Sequence, residues 1–182
     1  IYHQYASLQD YALSYNNNLK PQQAIHYILG YEYNRDNDFI LRIESYYKKY
    51  SNLVSNSTYG YLYGSDGEGF AKGADVFFKV RFKPKFNGWI SYSYTDSKRK
   101  QYSTGSLQSS NYDITHNISV VGTYNITDFL FAGITYHIST GKPYTPVNSS
   151  IFDSSQTAYI PFYAQFNSDS YPTYTRVDVN AQ

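Results

Sequence analysis

The sequence predicts an all-β chain: an antiparallel up-and-down transmembrane β-barrel to which these residues contribute about seven to eight strands. Three observations predict it. Apolar and polar residues alternate along long segments, the connections alternate short and long, and tyrosines gather near segment ends. The alternation is cleanest in Gly73–Lys83. Ala74, Val76, Phe78, Val80 and Phe82 fall on one side. Gly73, Asp75, Lys79, Arg81 and Lys83 fall on the other, with Phe77 the one large apolar residue among them. A β-strand points successive side chains to opposite faces, so this segment separates apolar from charged almost completely.

Composition supports the class and excludes others. A chain of 182 residues suffices for one domain. Mean hydropathy is −0.56, and no stretch approaches the ~20 consecutive apolar residues of a spanning helix. A membrane barrel remains open, because its strands are only half apolar and its loops are polar. A net charge of +1 leaves no basic surplus for nucleic acid. Without cysteine there are no disulfides and no thiolate metal sites. The chain starts inside an aromatic stretch and stops inside an alternating one, with no secretory leader pattern at Ile1. The expectation is a fragment: residues 1–182 as the C-terminal part of one barrel domain.

Taken in order, Ile1–Gln4 reads as a strand tail, and the Asn-rich run to Pro21 reads as loop. Seven strand-like segments follow. Gln22–Tyr33 alternates Ile25, Tyr27, Leu29, Tyr31 and Tyr33 with His26, Gly30 and Glu32. A polar turn, 34–38, leads to Phe39–Lys49, where Phe39, Leu41 and Ile43 oppose Arg42, Glu44 and Lys48. Ser51–Phe70 reads as a long glycine-rich loop before the Gly73–Lys83 strand. Pro84–Gly88 turns the chain into Trp89–Asp96, and Ser97–Asn111 is expected to be loop. Asp113–Tyr124 and Phe129–Thr140 alternate again across a short turn at 125–128. A loop of about thirty residues, Gly141–Pro172, precedes a last segment from Tyr174, with Val177 and Val179 opposite Arg176 and Asp178.

Three features favour a membrane barrel over a soluble sandwich. The segments approach the ~9–11 residues of a tilted spanning strand rather than the ~5–6 of soluble sheets. Tyr31, Tyr33, Tyr47, Trp89, Tyr92, Tyr94, Tyr124 and Tyr136 are placed as interfacial girdles would be. Short turns on one side and long loops on the other match periplasmic turns and external loops. The facing assignment follows. Leu29, Leu41, Ile43, Val76, Phe78, Val80, Ile118, Val120 and Ile134 are expected to meet lipid. Glu32, Arg42, Glu44, Lys48, Asp75, Lys79, Arg81, Arg176 and Asp178 are expected to meet the lumen.

Candidate sites are few. Gly64–Gly69 offers Asp66 and Glu68 as oxygen ligands, but too few for a good Ca²⁺ site, and reads better as a turn of an external loop. His3, His26, His116 and His137 lack metal-ligand spacing, so neither metal nor cofactor is expected. Lumen charges could line a substrate path; a network bonded to neighbouring strands and a plug is the preferred reading. Tyr59, Tyr61, Tyr63, Tyr102, Tyr144 and Tyr159 lie in loops rich in Tyr, Ser and Asn and are the expected ligand contacts. No nucleophile with an adjacent base is visible, and Gly-x-Ser-x-Gly and His-Glu-x-x-His are absent, so no enzyme is expected.

Several pieces, in order, resemble one family. Asn18-Leu-Lys-Pro-Gln22 followed by Tyr27-Ile-Leu-Gly-Tyr-Glu32 resembles a segment of TonB-dependent outer-membrane receptors. Ile43–Val54 resembles the family's next strand, and Gly67–Val76 its "G-x-A-x-G-x-E" strand entry, with Asp75 where Glu is usual. Trp89–Thr95, Tyr112–Asn117, Ser139–Pro146 and Tyr174–Asp178 continue the series. The style resembles Bacteroidetes receptors, not SusC-type glycan importers. The resemblance implies a 22-strand barrel in the Gram-negative outer membrane, a plug, and energised uptake of a scarce solute such as a siderophore or vitamin. It implies partnership with TonB, ExbB and ExbD through an N-terminal region, and leaves room for a surface lipoprotein or a larger complex. Neither plug nor TonB box is visible in these residues. The rival expectation is a structural or docking barrel that imports nothing.

Overall fold

The computed structural model describes residues 19–56, 63–100, 105–155 and 157–181, and every regular element in them is a strand. They are β1 Gln23–Arg35, β2 Phe39–Asn56, β3 Tyr63–Phe82, β4 Phe86–Lys100, β5 Leu107–Ser109, β6 His116–Asn125 and β7 Phe131–Ser139. After these come β8 Pro143–Tyr144, β9 Val147–Asp153, β10 Ala158–Tyr163, β11 Asp169–Ser170 and β12 Tyr174–Ala181. The main sheet runs β1-β2-β3-β4-β6-β7-β12, antiparallel throughout, with β5 added at the end of β4. It is a meander. β1 and β12 each pair on one side only, so the sheet is open at both edges.

Local chemistry makes the turns at one end tight. Asp36 and Asn37 both take positive φ, 53° and 58°, and the Asp38 amide donates to the Arg35 carbonyl at 3.0 Å. That hydrogen bond closes a primed turn inside a three-residue connection, since Arg35 pairs with Phe39, and Asp and Asn tolerate the left-handed backbone it needs. At the second turn the Lys85 amide donates to the Phe82 carbonyl at 2.9 Å, and at the third the Ile126 amide donates to the Leu130 carbonyl at 2.8 Å. Connections at the other end are longer, as the alternation predicts.

Register carries the two faces across the whole sheet. One row of directly opposed residues reads Glu32, Arg42, Phe77, Ser91, Ser119, His137, Arg176. The next row along the strands, on the other face, reads Tyr33, Leu41, Phe78, Ile90, Val120, Tyr136, Val177. A one-residue slip in any pair would flip a whole strand, so the apolar pattern specifies this register strongly. The apolar face forms a band. On β3 it covers Phe82 to Ala74, about 26 Å of strand at the usual rise. At a tilt of about 40° that is about 20 Å of height, most of the ~25 Å apolar band of an outer-membrane barrel.

No second layer covers this band. Among the described residues no apolar side chain is fully buried; Leu29 is 75% exposed and Val179 76%. The buried residues are Ser55, Ser110 and Asp113, together with Pro143, Gly67, Gly69, Gly88 and Gly133. A soluble domain hides one face of its sheet against another layer, and this sheet does not.

The sequence expectation is corrected in three places. Ser51–Phe70 is not an open loop: β2 and β3 continue as paired strands well beyond the band, and Gly64–Gly69 lies inside β3. The pairing there is irregular, with register shifts at Tyr50/Leu53 and Leu53/Ser55 and positive φ at Asn52. A Cβ on Gly67 would stand 2.5 Å from the Leu53 carbonyl oxygen, so glycine here permits close strand approach rather than a turn. Part of Ser97–Asn111 likewise extends β4 and forms β5. Finally, Gly141–Pro172 holds two small ribbons, β9 with β10 and β8 with β11.

Candidate functional site

Every residue expected to face a lumen lies on one face, and every residue expected to face lipid lies on the other. The polar face is therefore the candidate site. Its first cluster sits on β1–β4. Arg42 Nε donates to Glu32 Oε2 at 2.8 Å, and its guanidinium lies 5.9 Å from the centre of the Phe77 ring. Glu44 and Asp75 are directly opposed across β2 and β3. Like charges in that position repel, and neither carboxylate has a basic partner among the described residues. Arg42, Glu44, Asp75, Phe77, Ser91 and Ser93 line an open hollow of about 360 Å³.

The other polar-face residues are spread along the strands. Lys48 Nζ lies 4.6 Å from the Tyr46 ring centre. The Tyr46 hydroxyl sits 3.1 Å from Thr95 Oγ1, and the Tyr46 ring lies over Gly73, where a Cβ would collide with it and with the Tyr94 carbonyl. Lys79 is opposed to Trp89, whose ring lies 6.0 Å from Phe77. This corrects the girdle: Trp89 belongs to the polar face, not the apolar one, because it sits one residue out of phase with Ile90. Near the tight turns Asp38 is 3.9 Å from Arg81 and 3.1 Å from Lys83. At the far side of the sheet Arg176 and Asp178 share two contacts, at 2.8 and 3.0 Å.

One pairing escaped the sequence reading. Ser119 Oγ lies 2.9 Å from His137 Nδ1, across β6 and β7. Eighteen residues separate them, and only the register brings them together. The pair has the atoms of a nucleophile and a base. It lies mid-strand, where ladder pairing occupies the backbone N–H groups that an oxyanion hole would need. No cluster of three or more metal-ligating side chains occurs among the described residues.

Of the tyrosines expected to contact ligand, Tyr144 and Tyr159 have described side chains, and these have different neighbours. Tyr59, Tyr61 and Tyr102 fall outside the described residues, and Tyr63 opens β3 opposite Asn56. Tyr144 stacks on Tyr171 at 4.6 Å and donates its hydroxyl to Asp169 Oδ2 at 3.0 Å. That hydrogen bond and the negative charge of Asp169 raise its pKa above the usual tyrosine value. Tyr144 thus ties the base of the long connection. Asn167 adds to the tie, reaching the Ser109 carbonyl and Asn111 Oδ1 at 2.8 Å each. Tyr159 is different. It sits exposed on β10, edge-on to Phe152 at 5.2 Å, on a ribbon that also exposes Ile151, Ile160, Phe162 and Tyr163. Those neighbours were not singled out from the sequence; an apolar run within a long polar connection is the signal that marks them.

The sequence from residue 2 to residue 182 matches the model of the TonB dependent receptor-like β-barrel family. The chain belongs to that family. Among curated proteins none matches. TonB-dependent receptors are outer-membrane proteins of transport rather than enzymes, and membership implies dealings with TonB and a small-molecule substrate. The open meander is accordingly part of a receptor barrel wall, and no helix among the described residues is long and apolar enough to cross a membrane.

Proposed function

We propose that these residues form barrel wall and external loops of a TonB-dependent receptor that imports a scarce solute, a siderophore, vitamin or similar compound. The apolar band meets lipid, and the polar face lines the lumen. One observation carries the reading: along the band, across seven strands, the register sets charged residues on one face and uncovered apolar residues on the other. Only a closed barrel satisfies the backbone of such a sheet in lipid, so β1 and β12 must pair with further strands, in a barrel of about 22 by family analogy. The unpaired carboxylates of Glu44 and Asp75 suit a basic contact from a plug. Tyr159 and the ribbon around it support ligand contact on the external side.

The test has two parts. The full-length protein, taken from outer membranes, should require detergent and migrate differently on a gel before and after boiling. Deleting its gene should abolish growth on the limiting solute, with uptake depending on TonB. Uptake that survives loss of TonB sinks the transport reading. A docking barrel without import is the second reading, favoured by the exposure of apolar side chains on both faces of the β9–β10 ribbon. Normal growth of the deletion strain on every scarce solute, with loss of a surface partner, would select it.

A further inference from the structure

Beyond the apolar band, on the same face, the three central strands change character. The row next to Ala74 holds Tyr47, Lys72 and Asp96, with Lys72 Nζ 3.2 Å from Asp96 Oδ2. The following row holds Lys49, Phe70 and Lys98, directly opposed across β2, β3 and β4. Tyr47 stacks on Phe70 at 6.3 Å, and Lys72 Nζ lies 5.5 Å from the Phe70 ring centre. Lys100 pairs with Glu68 at 3.6 Å. On this part of the face Asp96 and Glu68 each serve one lysine, so Lys49 and Lys98 have no carboxylate among the described residues. Two free ammonium groups therefore flank one aromatic ring. Their backbones stand about 10 Å apart at the usual strand spacing, within reach of one another on flexible stems.

We propose that Lys49, Phe70 and Lys98 bind the phosphate-bearing headgroup of a glycolipid in the outer leaflet. The proposal rests on reading the apolar face as lipid-facing and the long connections as external. Position supports it. Phe70 lies four residues beyond Ala74, about 13 Å of strand and about 10 Å of height at a tilt near 40°. That is headgroup depth, just past the hydrocarbon core. Charge supports it too, since the row has a net surplus of two positive charges facing outward. Phosphates take up the ammonium groups while Phe70 and Tyr47 pack against the sugar and the upper acyl chain.

The full-length receptor, purified in detergent, is titrated with bis-phosphorylated lipid A and, separately, with zwitterionic phosphatidylethanolamine, reading bound lipid by native mass spectrometry. The wild type should prefer lipid A, and Lys49→Gln/Lys98→Gln should weaken that binding about thirtyfold, the effect of two basic groups at an anionic surface. Lys79→Gln/Lys85→Gln, on the other face and in a tight turn, should leave it unchanged. Equal lipid A binding by the wild type and Lys49→Gln/Lys98→Gln overturns the proposal, whatever else the patch then holds. Failure of the barrel reading shows separately, as a protein that stays soluble without detergent and does not shift on boiling.

Discussion

The β2–β3 hairpin has two halves that obey different rules. In the lower half, Phe39–Tyr50 against Gly69–Val80, pairing is unbroken, and from Phe39 to Ser45 and Ala74 to Val80 the apolar face carries no charge. In the upper half the register shifts twice, Asn52 takes a left-handed conformation, and Ser55 is buried against Asp66. The two halves are one ladder, so hydrogen bonding does not explain the contrast. The medium does. Where one face meets lipid and the other a wet lumen, a misplaced side chain is costly and alternation is enforced. Where both faces meet water, the pattern relaxes, and backbone fit at Gly67 and Gly69 governs instead.

The comparison breaks first at Phe78. Phe78→Arg should destabilise the full-length protein by about 2–4 kcal/mol when folded into bilayers and unfolded with guanidinium. Lys79→Gln, its neighbour on the other face, should stay within about 0.5 kcal/mol. Similar losses at the two positions would show that the faces do not meet different media. In the upper half the expected penalty is steric and local. Gly67→Val should cost about 1–3 kcal/mol, seen as faster amide exchange across Leu53–Asn56 while the band stays protected. Uniform loss of protection down to Phe82 would mean that the two halves unfold together.

Charge on the polar face should matter less still. Arg42→Gln removes the ion pair with Glu32, both partners being roughly half exposed, and should cost less than about 1 kcal/mol in the same unfolding experiment. A cost like that of Phe78→Arg would point to a desolvated network in place of a wet wall. The smallest effect belongs to the long connection between β7 and β12. The raised pKa of Tyr144 means that its hydrogen bond to Asp169 contributes fully below the ordinary tyrosine pKa and is lost as pH rises through the higher folded value. Comparing ultraviolet phenolate titrations of the wild type and Tyr144→Phe should reveal one late-titrating tyrosine. If the missing transition has an ordinary midpoint, that hydroxyl does not anchor the loop.

The sequence by itself determined the class and the faces. Alternation from Phe39 to Lys49, from Gly73 to Lys83 and from Phe129 to Thr140 is legible because side-chain direction along a strand is a local property with period two. The tight turn at Asp36 and Asn37 was legible for the same reason, since polar residues that tolerate left-handed backbone announce themselves. Tertiary structure alone decided what depends on a partner strand. Gly64–Gly69 reads as a loop until Leu53 and Lys98 approach it. Trp89 reads as an interfacial residue until register sets it beside Phe77. Ser119 and His137 are unrelated until β6 meets β7. Lys49, Phe70 and Lys98 are likewise scattered across three strands and form a row only because antiparallel pairing places them side by side.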